Sequence, residues 1–226
     1  MIKNALVAVL VAASMPAIAG TSGKAPVTPP PPAPAASSIS FDYVEAAWVH
    51  GFDAASLTVI NGFNGQVIGS DVQDTDGYTV GVSATLAGNL FGFANFGQTF
   101  ASLSAAGINV DADALGVAFG LGYHVPLWSG AEFVIQAGAA YREVDFGFAS
   151  NDEWGVAGAA GIRWALTNWL ELNLFYTPSY FDETDYQNAG SANLIFRNVI
   201  SNVDLVLSGS INDEFETIGA GLRYNF

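Results

Sequence analysis

The sequence predicts an all-β chain: an antiparallel up-and-down transmembrane β-barrel of ten strands, with eight as the alternative count. Three observations predict it. First, the stretch Phe215–Phe226 alternates. Ile218, Ala220, Leu222, Tyr224 and Phe226 form an apolar face, and Thr217, Gly219, Gly221, Arg223 and Asn225 form a small, polar one. A strand turns successive side chains to opposite faces, so this stretch reads as a strand with an apolar medium on one side. Second, 51% of the residues are hydrophobic, yet only 12% are charged and 25 are glycine. That charge content is low for a soluble domain, and the apolar runs are too short for membrane helices. A barrel needs this mixture, because every second residue faces lipid while the others crowd a lumen. Third, strand-like segments recur with short and long connections in alternation, the habit of barrels with tight turns at one mouth and loops at the other.

The chain begins with an expected export signal, residues 1–19. Lys3 supplies the positive start, Ala5–Ala13 the apolar stretch, and Ala17-Ile18-Ala19 a small-x-small cleavage site. That stretch is too short to span a bilayer. With no Cys, the chain can carry neither an acylated lipoprotein signal, nor a disulfide framework, nor a thiolate metal site. Residues 20–38 centre on Pro29-Pro30-Pro31-Pro32, and their Pro, Ala, Ser and Thr cannot build a core. They read as an extended periplasmic linker, with docking to a periplasmic partner as the sharper alternative.

Residues 39–226 hold the expected barrel. The strands read as Ser40–His50, Gly77–Ala87, Leu90–Phe100, Ala112–His124, Glu132–Asp145, Glu153–Leu166, Trp169–Phe181, Ser191–Val199, Val203–Ser210 and Phe215–Phe226. Several reach the roughly 9–11 residues that a tilted membrane strand requires. Short turns are expected at Gly88-Asn89, Leu127–Ala131, Thr167-Asn168 and Ser201-Asn202, with Asn taking the left-handed conformation in three of them. Longer loops are expected at Gly51–Asp76, Ala101–Asp111, Phe146–Asp152, Asp182–Gly190 and Ile211–Glu214. The eight-strand alternative treats Tyr186–Ser210 as one loop. The segment Ser191–Val199 breaks alternation, placing Ile195 inward and Asn198 outward.

The formal net charge is −15, and Lys plus Arg total 6, so no basic stripe exists for nucleic acid. Most acids, Asp145, Asp152, Glu153 and Glu216 among them, are expected on a solvated loop rim. Asp71, Asp74 and Asp76 are spaced like a loose cation loop but lack the glycine and closing Glu of a calcium hand; no metal and no cofactor is expected. Beyond the signal and linker only Arg142, Arg163, Arg197 and Arg223 remain as cations. Alternation points each of them inward, together with Glu45, Glu171 and Asp204. An Arg turned to the lipid midplane costs roughly 2–4 kcal/mol, so these residues are expected to form a luminal ladder of charge pairs. A ladder of this kind either fixes register or selects among permeating solutes.

Catalysis is not expected. His50, near Asp53, offers one rim His–Asp pairing with no second catalytic pair beside it. His124 reads as a girdle or lumen residue, and no Ser lies two positions from either histidine.

The segments FDYVEAAWVHGFD (41–53), LGVAFGLGYHVPL (115–127), the three Asn turns and the closing GAGLRYNF (219–226) resemble small Gram-negative outer-membrane β-barrels of the porin-like or opacity-type class. The resemblance covers about residues 41–226. It implies residence in the outer membrane among its lipids and lipopolysaccharide. It also implies recognition of Tyr224 and Phe226 by the barrel-assembly machinery. For activity it implies either a narrow passive pore with a charged lumen or a surface-interaction barrel acting through acidic extracellular loops on an unidentified ligand.

Overall fold

The structure is a computed structural model and describes residues 39–52, 55–61, 66–71, 74–105, 108–145, 150–181, 186–212 and 216–226. The expected signal and linker lie outside the described residues. The chain runs β1 (Tyr43–Phe52), β2 (Ala55–Asn61), β3 (Gln66–Asp71), β4 (Asp74–Ala87), β5 (Leu90–Ala105) and β6 (Ile108–Trp128). It continues as β7 (Ala131–Asp145), β8 (Ser150–Ala165), β9 (Leu170–Phe181), β10 (Gln187–Ile200), β11 (Val203–Asn212) and β12 (Glu216–Asn225). Strands β1 and β4–β12 close into one barrel of ten strands, while β2 and β3 pair as a separate hairpin. Every barrel pairing is antiparallel, and β12 returns to lie beside β1 with Glu45 opposite Arg223. Closure matters physically: it leaves no unpaired sheet edge, the one way a β-structure can stand in hydrocarbon.

The ten-strand count holds and the eight-strand alternative fails, because β10 and β11 are both laddered into the barrel wall. An irregularity follows the broken alternation in β10. Register shifts between Phe196 and Ile200, and Asn198 sits at φ 54°. Four steps along β10 there face two along β11, from Leu205 to Val203, so this bulge adds two residues to β10. Ile195 is buried and Asn198 exposed, as the sequence pattern requires.

Several strand ends differ from expectation. The stretch Gly51–Asp76, expected as a loop, holds the end of β1, the β2–β3 hairpin and the start of β4. The expected loop Ala101–Asp111 is mostly strand, with β5 running to Ala105 and β6 starting at Ile108. The left-handed turn residues are Gly88 and Ser201, at φ 56° and 53°, and not the asparagines that follow them. A third tight turn uses Gly130 at φ 80°.

Alternation persists around the wall. In β12, Thr217, Gly219 and Arg223 are buried while Ile218, Ala220, Leu222 and Tyr224 are exposed. Between the two mouths the outward set is mainly apolar. Aliphatics such as Val82, Leu121, Ile135, Leu174 and Leu222 form its middle, and aromatics collect towards both mouths. Trp128 packs edge-on to Trp164 near the short-turn mouth, while Trp48, Tyr78, Trp154 and Tyr180 lie towards the long-loop mouth. A soluble protein does not leave so continuous an apolar surface in water. Aliphatic belt and aromatic girdles together match a bilayer's core and its two interfaces.

Candidate functional site

The lumen is the candidate site. Its charged residues gather in two places. Near the short-turn mouth, Arg163 on β8 directs Nε and Nη2 onto Glu171 Oε1 at 2.9 and 2.8 Å. Arg223 on β12 directs Nε and Nη2 onto Glu45 Oε2 of β1 at 2.8 and 2.6 Å. Each guanidinium thus binds one carboxylate oxygen with two donors, a charge-assisted contact stronger than a neutral hydrogen bond. Asp204 differs: its two oxygens accept the Asn198 backbone N–H at 2.7 Å and the Asn225 side-chain amide at 2.8 Å. It therefore pins the β10 bulge to the end of β12. Arg197 is half-buried beside that bulge, and its backbone N–H donates to Trp169 O at 2.8 Å.

The second place lies towards the long loops. Arg142 on β7 binds Glu153 on β8, with Nε 2.9 Å from Oε1 and Nη2 on the same oxygen, and its guanidinium carbon sits 4.5 Å from the Phe181 ring centroid. Glu153 corrects the sequence reading. Expected on the solvated rim, it is buried because its parity on β8 is that of Arg163 and Ala159. Glu132 is a further buried acid that charge reasoning left unassigned. It faces Arg163 across the β7–β8 ladder, and its Oε2 lies 2.5 Å from His124 Nδ1. Of the two positions expected for His124, girdle or lumen, the lumen is correct.

Aromatic rings complete the layer near the short-turn mouth. Tyr43 carries the Arg223 guanidinium 4.1 Å above its ring. Phe41, ahead of β1, stacks on His124 with centroids 4.1 Å apart and touches Phe91 at 4.7 Å. The Arg163 guanidinium lies 4.5 Å from the Phe41 centroid, and its Nη1 donates to Ser40 O at 2.9 Å. The segment before the first strand therefore turns into the barrel and packs across its mouth. Phe41 shares the parity of Glu45, so alternation carried a signal for its inward position.

Two cavities flank this layer. One, of about 90 Å³, lies in mid-lumen against Phe41, Tyr43, Glu45, Arg163 and Arg223, with Asn95, Gln136, Asn173, Thr177 and Asn193 above them. The other, of about 100 Å³, lies towards the short turns against Ser40, Arg163, Glu171, Arg197, Asp204 and Arg223. A water molecule needs roughly 10–15 Å³ of such space, so each has room for several. Among the described residues, the buried Thr75 Oγ1, Thr99 Oγ1, Ser191 Oγ and Asn193 Oδ1 find no protein partner. Buried polar atoms of this kind are normally satisfied by water.

The remaining sequence candidates are placed as follows. His50 faces outward and pairs with Asp76 at 2.9 Å, whereas Asp53 lies outside the described residues. Asp71 and Asp74 side chains also lie outside them, and among the described residues no three His, Asp or Glu converge as metal ligands. Tyr224 is exposed on the outward face, with Phe226 beside it at the same mouth.

Closure, an apolar outer belt and a polar lumen define a membrane-spanning β-barrel. No protein-family profile and no curated relative matches the chain. Solved barrels resemble it at low identity. Neisserial surface protein A is 14% identical with a TM-score of 0.42, over 83% of this chain and 98% of that one. Ail, the attachment invasion locus protein of Yersinia pestis, is 13% identical with a TM-score of 0.43, over 82% and 100%. The outer membrane protein OprG of Pseudomonas aeruginosa is 12% identical with a TM-score of 0.42, over 83% and 96%.

Proposed function

We propose that the protein stands in the outer membrane, short turns towards the periplasm, as a narrow pore for ions and very small solutes. The observation that carries this reading is the lumen's content: a layer of buried ion pairs between two polar cavities. A barrel needing only a rigid core could fill its interior with apolar side chains, which stabilise at least as well as buried ion pairs. A ten-strand barrel has a lumen little wider than its side chains, which suits ions and small solutes over general diffusion. In this reading the seven charged residues named from sequence divide. Arg163, Arg223, Glu45 and Glu171 form the selective layer, Asp204 and Arg197 its short-turn side, and Arg142 a separate outer pair with Glu153. Lipids and lipopolysaccharide contact the apolar belt, and Tyr224 with Phe226 serves as the assembly signal.

The test is planar-bilayer recording of the refolded protein with the Glu45→Gln variant beside it. Discrete conductance is expected in the wild type. Removing one carboxylate from the layer shifts its selectivity towards anions, read as a displaced reversal potential in a salt gradient. A wild-type barrel that folds and stays silent under every voltage, together with a silent Phe41→Ala variant, would sink the pore and favour a surface-interaction barrel acting through its acidic loops.

A further inference from the structure

One proline stands where a closed barrel wall gives it no natural place. Pro178 lies inside β9, which is laddered to β10 on one side and to β8 on the other. Proline has no N–H to give, so sheets confine it to edge strands, first residues and bulges. Here the ladder to β10 runs on through Asn188 opposite Pro178, and the ladder to β8 breaks. Two successive pairs drop out, Gly158 with Pro178 and Ala159 with Thr177, before pairing resumes in the same register at Ala160 with Tyr176. The Gly158 carbonyl is therefore left without its ladder donor. Among the described residues no turn or loop N–H replaces it.

An apolar groove of about 410 Å³ opens on the outer face at this break. Gly158 and Pro178 line it, with Ala137, Val156, Tyr180 and Tyr186 around them. Gly158 has no side chain, so it meets the groove with its backbone. Along β8 it lies roughly 13 Å of strand beyond Trp154, and along β9 Pro178 follows the same course below Tyr180. Both therefore sit in hydrocarbon just beneath the long-loop girdle. An unsatisfied carbonyl is costly there, because the bilayer core holds no water to bond it. Polar groups border the groove: the Tyr176 hydroxyl donates to Asn188 Oδ1 beside Pro178 and lies 3.3 Å from the Tyr186 hydroxyl.

We propose that this groove holds an acyl chain of lipopolysaccharide, and that a hydroxyl or amide N–H at the root of that chain donates to the Gly158 carbonyl. The proposal rests on the orientation given above, long loops outward, and not on conductance. The acyl chains of lipid A carry hydroxyl groups, and some are joined to the sugar by amides, so donors lie just below its headgroup. A glycerophospholipid joins plain chains by esters and offers no donor at that depth. The apolar walls accept either chain, and the carbonyl tells them apart. The competing account gives the carbonyl a water from the mid-lumen cavity, which Ala159 and Thr177 border from inside.

The full-length protein, refolded in detergent micelles with magnesium present, would be titrated with lipid A or with dimyristoylphosphatidylglycerol and read by native mass spectrometry. Pro178→Ala supplies the missing N–H and occupies the carbonyl from within the sheet. Wild type is expected to bind its first lipid A about tenfold more tightly than this variant does, the worth of one hydrogen bond. Phosphatidylglycerol should bind both proteins alike. Lipid phosphates and acidic loops are the same in each comparison, so their repulsion cancels. Pro178→Val, with its higher strand propensity, repeats the test if the alanine variant assembles poorly. Equal lipid A affinity in wild type and a folded variant would overturn the proposal and leave the carbonyl to water. A variant that weakens both lipids alike would also overturn it, because the shape of the groove and not its carbonyl would then hold the chain. Neither result touches the pore, which stands or falls on the bilayer recording.

Discussion

The two halves of the lumen solve the same problem differently. Towards the short turns, large charged and aromatic side chains fill the interior: Arg163, Arg223, Glu45, Glu171, Tyr43 and Phe41 in one connected layer. Towards the long loops the described wall is lined by Ala112, Ala114, Ala118, Ala140 and Ala157 with Thr75, Thr99, Thr177 and Ser191, and carries the Arg142–Glu153 ion pair. Small residues let opposite walls approach, whereas the large ones need partners for every buried charge. The difference teaches where the barrel concentrates its buried charge. The small-residue wall carries little of it, and the connected layer holds charges of both signs at fixed positions.

The largest expected effect tests that asymmetry directly. Arg163 serves Glu171, the Ser40 carbonyl and the Phe41 ring, while Arg142 serves Glu153 and the Phe181 ring near the outer mouth. Replacing Arg163 strands a buried carboxylate, so Arg163→Met is expected to cost about 3–5 kcal/mol. Arg142→Met should cost about half that on the same reasoning, because its partner lies closer to loop solvent. Urea unfolding from lipid vesicles, followed by tryptophan fluorescence, measures both. Equal losses would break the comparison and make the two charge sites equivalent.

A second effect, smaller, concerns how tightly neighbouring strands lie against each other. Gly120 and Gly138 face each other across the β6–β7 ladder, and a Cβ on Gly138 would stand 2.1 Å from Phe119 O. That oxygen is backbone, so the sheet itself must shift. Gly138→Ala is expected to cost about 1–3 kcal/mol, the usual range for overpacking. Gly209 faces lipid, and its added Cβ would meet nothing nearer than 3.6 Å. Gly209→Ala should stay within about 0.5 kcal/mol of wild type. The two variants side by side in the same urea titration read the difference. A tolerated Gly138→Ala would show that the wall has slack.

What the sequence made legible follows the same divide. Alternation located the inward face of β12, β8 and β7 correctly, and with it Arg142, Arg163 and Arg223, because a period of two leaves a side chain only two directions. It failed where charge was allowed to overrule it. Glu153 looked like a rim acid by composition, yet its parity matches Arg163 and it is buried. Strand ends were the least visible, since Ser102–Ala105 and Ile108–Asn109 carry no Pro or charge to stop a strand, and the β5–β6 ladder runs through both. Pairing was invisible for a different reason. Which carboxylate meets Arg163 depends on cross-strand register, and Glu171 is eight residues away in sequence and reachable only after the β8–β9 bend is made. The inward turn of Phe41 needed the whole mouth to exist, because His124 and Arg163 come from β6 and β8.

The smallest expected effect lies at the short-turn mouth, in the backbone. Ser201 takes φ 53° in the turn between β10 and β11, a conformation disfavoured for any residue with a Cβ. Gly88 occupies the equivalent left-handed place in the β4–β5 turn, where glycine meets no such penalty. Ser201→Gly should therefore raise stability by about 0.5 kcal/mol, the steric relief being partly offset by the greater freedom of an unfolded glycine. Gly88→Ala should lower it by about 1 kcal/mol, although the added Cβ would meet nothing within 4 Å. Opposite signs in the same unfolding assay would show that these turns are limited by backbone conformation and not by contacts. A destabilised Ser201→Gly would mean that the serine side chain holds the turn, and that the bulge beside it at Asn198 is set from the turn as well as from Asp204.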